Sequence, residues 1–122
     1  MHAKILRPLV WVASTRKDLQ SMPAHVQDAF GYALHLAQVG RKSDSAKPLQ
    51  GFGSAGVLEV CEDFDGDTYR AIYTVRFTEA VYVLHCFQKK SRQGTETPRP
   101  DMEKIRDRFK AAAARSASGA KS

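Results

Sequence analysis

Two runs of strand-forming residues, 69–77 (YRAIYTVRF) and 81–88 (VYVLHCFQ), are joined only by the short Thr78–Glu79 link. A connection that short cannot carry a crossover, so the two strands must be antiparallel neighbours. A third run, 57–62, precedes them across the turn sequence DFDGD at 63–67, which extends the pair into an antiparallel meander. Tyr69, Ala71, Tyr73 and Val75 alternate with Ile72, and Val81, Val83 and Phe87 alternate with Tyr82 and Leu84. Both faces of the last two strands are therefore apolar, and the sheet needs cover on each side.

The rest of the chain supplies that cover. Residues 5–12 read as a first strand, with Pro8 tolerable at an edge or bulge. Thr15 followed by Asp18 resembles a capping box and opens a short helix. Pro23 starts a second helix in which Val26, Ala29, Phe30, Ala33, Leu34 and Ala37 recur at three- and four-residue spacing until Gly40. Residues 41–56 are polar and glycine-rich and read as a loop. After Gly94, proline punctuation opens a C-terminal helix with Met102, Ile105 and Phe109 on one stripe and Glu103, Lys104, Arg106 and Lys110 facing away. The order β-α-α-β-β-β-α, without internal repeat, predicts an α+β single domain over residues 1–115 with helices packed on a small, mainly antiparallel sheet. Residues 116–122 are small and polar and read as a flexible tail.

Composition narrows the setting. The chain has 122 residues, enough for one modest core, and 43% are hydrophobic, which fits a globular domain. No apolar run approaches the roughly 20 residues of a spanning helix, and the N-terminus lacks the pattern of a cleaved signal. A soluble, cytoplasmic protein is expected, without membrane contact. Cys61 and Cys86, both within strands, are expected to be reduced core residues.

The net charge of +6 is unevenly placed. Residues 1–84 are neutral, with nine Lys/Arg against nine Asp/Glu, whereas residues 85–122 hold ten against four. A polyanionic or acidic partner approached by the C-terminal third would fit that polarity, although charge runs are more commonly solvated helix faces.

Enzyme motifs are sparse. Gly51, Gly53 and Gly56 spell G-x-G-x-x-G, but a helix precedes them and a strand follows, the reverse of the dinucleotide-binding order, so a structural loop is expected. His2, His25, His35 and His85 are scattered. His85 and Cys86 are adjacent in a strand and point to opposite faces, so no metal site is expected. What remains is a basic set: Lys89, Lys90 and Arg92 past the last strand, Arg70 and Arg76 at even separation in the strand before it, and Lys47 in the loop.

The stretches KPLQGFGSAGVLEV (47–60), DFDGDTYRAIY (63–73) and VLHCFQKKSRQGTETPRPDMEKI (83–105) together resemble the phage-derived HigB-like branch of the RelE/ParE toxin superfamily. The shared features are a Lys-Pro-Leu-x-Gly loop, Tyr-Arg in the middle strand, and Phe-x-Lys-Lys before a Thr-x-x-Pro helix start. The resemblance implies a RelE-like domain and the toxin of a type II toxin–antitoxin pair, a metal-independent endoribonuclease that cuts mRNA in the ribosomal A site without a cofactor. A cognate helix-turn-helix antitoxin would be its partner. A ParE-like relative would instead inhibit DNA gyrase without cutting RNA, and a nonenzymatic phage-derived nucleic-acid-binding module could use the same basic third.

In such RNA cleavage the ribose 2′-OH attacks the adjacent phosphate, which calls for a base, positive charge at the phosphate and an acid for the leaving 5′-oxygen. A lysine is a poor base at its ordinary pKa of about 10.4, but neighbouring cations and partial burial disfavour the ammonium form. Carried onto this sequence, the resemblance assigns Arg70 to transition-state stabilisation and Lys89 or Lys90 to proton transfer. Lys47, Arg76 and Arg92 are further phosphate contacts, and Phe87 or Tyr73 would stack a base.

Overall fold

The structure of the chain, a computed structural model, describes residues 6–89 and 97–119. The element order is β1 (Leu9–Trp11), α1 (Thr15–Gln20), α2 (Ala24–Gln38), β2 (Ala46–Pro48), β3 (Val57–Phe64), β4 (Asp67–Thr74), β5 (Val81–Lys89) and α3 (Arg99–Gly119). The five strands form one sheet in the order β1-β5-β4-β3-β2, with β1 parallel to β5 and every other pair antiparallel. An α+β domain with a small, mainly antiparallel sheet is thus what the sequence pattern encodes.

The β3–β4 turn follows from two residues. Asp65 and Gly66 both have positive φ (53° and 84°) and connect a register that closes on Phe64 opposite Asp67. Left-handed conformation at both central positions matches the right-handed twist of the flanking strands, and Asp-Gly adopts it at low cost.

A layer covers each face of the sheet. Leu19, Val26, Phe30, Ala33, Leu34 and Ala37 from α1 and α2 pack against Val60, Ala71, Tyr73, Val81, Val83 and Cys86. On the opposite face α3 brings Ile105 and Ala112 onto Val57, Ile72, Tyr82 and Leu84, with Phe77, Phe87, Met102 and Phe109 at the margins. Central strands β4 and β5 are consequently buried on both sides, the reason neither shows a simple apolar–polar alternation.

Several details differ from the sequence expectation. Lys89, read as past the last strand, closes β5 opposite Thr68, because the pairing with β4 runs on toward the β3–β4 turn. Helix α1 takes Ser14 as its N-cap without a side-chain cap, so Thr15 forms no capping box. Residues 46–48, read as loop, form edge strand β2 on β3, because the polar stretch still offers backbone groups to an open edge. In β5 the register shifts opposite Ile72 and Tyr73, so that Leu84 and His85 both turn toward α3. This bulge inverts the parity of everything after it and places Val83 and Phe87 on opposite faces, where strict alternation put them together. Helix α3 runs on to Gly119, into the stretch read as a tail.

At the N-terminal edge, Arg7 acts as a brace. Its Nη2 donates to the carbonyls of Phe77, Ala80 (3.0 Å) and Val75 (3.3 Å), holding the β4–β5 connection, while Gln38 Nε2 donates to the Arg7 carbonyl at 2.7 Å. Among the described residues no helix is long and apolar enough to cross a membrane. Both cysteines are free thiols; burial pushes Cys86 up to about 12 and, with the nearby Glu59 carboxylate, also raises Cys61.

Candidate functional site

Sheet register gathers the polar residues in rows on the α3 face. One row crosses the strands as Lys47, Glu59, Ile72 and His85; the next holds Cys61, Arg70 and Phe87; the third holds Thr68 and Lys89. Each strand contributes every second residue to this face, so Lys47, Arg70 and Lys89 lie among two carboxylates, the buried Glu59 and the exposed Asp63 beside Thr68, beneath the start of α3.

Arg70 and Glu59 form the centre. Arg70 Nη1 donates to Glu59 Oε2 at 3.2 Å and to Thr97 Oγ1 at 3.1 Å, and both charged side chains are nearly buried, at 5% and 8% exposure. Lys47 Nζ reaches the other carboxylate oxygen at 3.9 Å from a largely exposed position. A guanidinium taken this far from water needs its carboxylate partner, since an uncompensated buried charge costs several kcal/mol, on the order of 3–5. Arg70 is therefore a fixed charge under the site and part of its framework.

A cleft of about 440 Å³ opens beside this pair, lined by Lys47, Leu49, Gln50, Glu59, Thr97 and Met102, among others. The loop after β2 forms one wall and the first turn of α3 the other. Gly51, with φ of 98°, sits where a Cβ would come within 3.2 Å of Met102 Cε and Arg106 Nη2, so the glycine permits the close approach of loop and helix. The G-x-G-x-x-G stretch is indeed a loop that delivers the chain from β2 into β3.

A second polar cluster pins α3 to the β5 bulge. His85 Nε2 lies 2.7 Å from Asp101 Oδ1, and Arg108 Nη1 donates to His85 Nδ1 at 3.1 Å and to the Leu84 carbonyl at 3.0 Å. Because arginine only donates, Nδ1 is the acceptor and Nε2 carries the proton to Asp101. Burial lowers the His85 pKa; the Asp101 hydrogen bond opposes that and the Arg108 charge adds to it. The ring also stacks on Phe87, with centroids 4.5 Å apart and planes 16° from parallel.

The expected site residues separate into three groups. Lys47, Arg70, Phe87 and Lys89 share the α3 face, with Lys89 a diagonal neighbour of Arg70 and itself 8% exposed. Arg76 and Tyr73 do not join them. Arg76 lies beyond the far end of β4 and is exposed, about 20 Å along the strand direction from Arg70 at the usual rise per residue. Tyr73 faces α2 with no exposure, which leaves no ring surface for a base. Lys90 and Arg92 lie outside the described residues.

Glu59, Thr97, His85, Asp101 and Arg108 escaped the sequence reading. Two signals were available. Glu59 interrupts the apolar run VLEV, and a charge in a buried strand is rarely there without a partner. Asp101 and Arg108 occupy the same helical stripe as Ile105 and Ala112, at spacings of four, three and four residues, so they face the sheet where only a paired charge is tolerated. Among the described residues, no three His, Cys, Asp or Glu side chains converge as metal ligands.

Comparison with known proteins adds one finding: the sequence model of a family described as Phage derived protein Gp49-like matches residues 17–110. That span runs from α1 to within α3 and includes the whole cleft. No curated protein and no solved structure matches the chain.

Proposed function

Since the chain belongs to the phage-derived Gp49-like family, we propose that it is the toxin of a type II toxin–antitoxin pair, acting as a ribosome-dependent, metal-independent endoribonuclease on translated mRNA. The observation that carries this reading is the cluster of Lys47, Arg70 and Lys89 on one face of the sheet, beside a cleft and under the α3 N-terminus. In the proposed reaction the 2′-oxygen attacks the adjacent phosphorus and the bond to the 5′-oxygen breaks. Lys89 or Lys90 takes or returns the proton, Lys47 holds a backbone phosphate, and Arg70 supplies fixed positive charge beneath the developing phosphorane. Phe87, half-buried and stacked on His85 by one face, would offer its other face to a base. A helix-turn-helix antitoxin with acidic or apolar segments would mask this basic face.

The test is induction in cells followed by mapping of mRNA 5′ ends. Cuts within translated codons that disappear in the double variant Lys89→Ala, Lys90→Ala, with its folding confirmed by thermal melting, support the reading; removing a charge or donor that acts on the transition state costs roughly a hundredfold or more in rate. Growth arrest with intact message and stalled DNA replication would replace it with gyrase inhibition. Rescue by, and co-purification with, the protein of the adjacent reading frame tests the antitoxin.

A further inference from the structure

Apart from Lys47 at its rim, the cleft beside β2 is lined by groups that a phosphate does not call for. Its floor is a carboxylate, Glu59, flanked by the amide of Gln50 and the hydroxyl of Thr97, and its walls include the apolar side chains of Leu49 and Met102. Arg70 and Lys47 offset the charge of Glu59, but its oxygens can only accept hydrogen bonds, so they call for a donor where a phosphate has none, and Leu49 and Met102 offer an anion nothing. At about 440 Å³ the space falls at the small end of ligand pockets, which are mostly apolar with a few fixed polar groups.

We infer that this cleft reads a base, and that the base it selects is an unstacked guanine of single-stranded RNA. The inference rests on the nucleic-acid-directed function proposed above and adds a specificity-determining residue, Glu59. Arg70 Nη1 at 3.2 Å fixes the carboxylate from one side and Lys47 at 3.9 Å bounds it on the other, which leaves further lone pairs of both oxygens for the cleft. Guanine alone presents two adjacent donors, N1–H and the N2 amino group, on its Watson–Crick edge, and these match the two oxygens of one carboxylate. Adenine and cytosine place an acceptor nitrogen beside their single amino donor, and uracil flanks its one N–H with two carbonyl oxygens, so each brings a lone pair against Glu59. Splayed-out bases read on this edge and sandwiched by side chains are the usual mode of sequence-specific RNA recognition. Leu49 and Met102 provide the apolar contact, the thioether being polarizable and adaptable. Lys47, 62% exposed at the rim, meets the phosphate of the same nucleotide.

The experiment titrates the full chain with short fluorescent RNAs, 2′-O-methylated to block cleavage, that differ only in one central base, and reads anisotropy at low salt. Guanine should bind tightest and uracil weakest, with a spread of roughly tenfold to a hundredfold, as for other bidentate base contacts. Glu59→Gln removes the carboxylate. Glu59→Asp keeps the charge and a partner for Arg70 but withdraws the edge by one methylene. Both should bring the four affinities close to equality, with thermal melts confirming the fold. Equal affinities in the unaltered protein, or a guanine preference that survives both variants, overturn the inference while salt-dependent binding leaves the nucleic-acid function standing. Failure of every RNA to bind overturns the inference, whereas the ribosome-dependent reading stands or falls separately on the mapping of mRNA 5′ ends in cells.

Discussion

His85 on the β5 bulge and Asp101 in the first turn of α3 are joined by a 2.7 Å hydrogen bond, so the face that carries Arg70 and Lys89 is tied to the helix above it through a titratable ring. The bond forms only because the bulge turns His85 toward α3 beside Leu84. Burial, reinforced by the Arg108 charge and opposed by the Asp101 hydrogen bond, leaves the His85 pKa below its ordinary value. The unfolded chain therefore binds this proton more readily than the folded one. Stability should be fully present above an unfolded histidine pKa of about 6.5 and decline as pH falls below it, until the folded ring is also protonated. Urea melts between neutral and mildly acidic pH check this; His85→Gln should flatten that part of the profile, and an unchanged slope would show that His85 does not carry it.

Arg108 would be a natural inert control if α3 were judged by its charges alone, and the structure removes it from that role. Its Nη1 serves both the Leu84 carbonyl and His85 Nδ1. Arg108→Ala leaves two buried acceptors unserved and should destabilise the fold by about 1–3 kcal/mol. Lys104, exposed on the outer face of α3, should change stability by less than about 0.5 kcal/mol when replaced by alanine. Denaturation midpoints of the two variants, measured side by side, decide the matter.

Loss of Arg70 should be felt in the fold before it is felt in activity. Arg70→Ala leaves the buried Glu59 carboxylate with only the exposed Lys47 at 3.9 Å in place of its buried partner, with an expected cost of roughly 3–5 kcal/mol. The double variant Glu59→Gln, Arg70→Met should recover part of that loss. A double-mutant cycle from chemical denaturation measures the coupling, and additive effects of the two changes would show that the pair is not coupled.

Tyr73 makes the opposite case. Its hydroxyl is buried with no hydrogen-bond partner among the described residues, and burial pushes the phenol up to about 12. Tyr73→Phe should leave stability unchanged or raise it by about 1 kcal/mol, because an unserved buried hydroxyl is removed without opening a cavity. RNA binding should not respond, since the ring faces α2.

Ile105 anchors α3 with no exposure at all. Ile105→Ala should cost about 2–5 kcal/mol through lost burial and a residual cavity. A loss near the lower bound, read by calorimetry, would mean that α3 settles into the gap.

Much of this architecture is local and was legible without coordinates. The short β4–β5 link dictates an antiparallel pair, Asp65-Gly66 dictates the hairpin turn, and the apolar spacing of α2 and α3 dictates which side of each helix is buried. Each depends on residues within a turn or two of one another. The site depends on placement across the sheet, and there the linear pattern fails. One bulge reverses the faces of β5 after Val83 and brings His85 to α3; edge strand β2 sets Lys47 against Glu59; and β3 places Glu59 where Arg70 of β4 must reach it. Register and partner choice are decided by the summed packing of two layers, so the sequence by itself determined the elements and their order, and only the tertiary structure decided that Arg70 would be a buried partner of Glu59 instead of a surface fork.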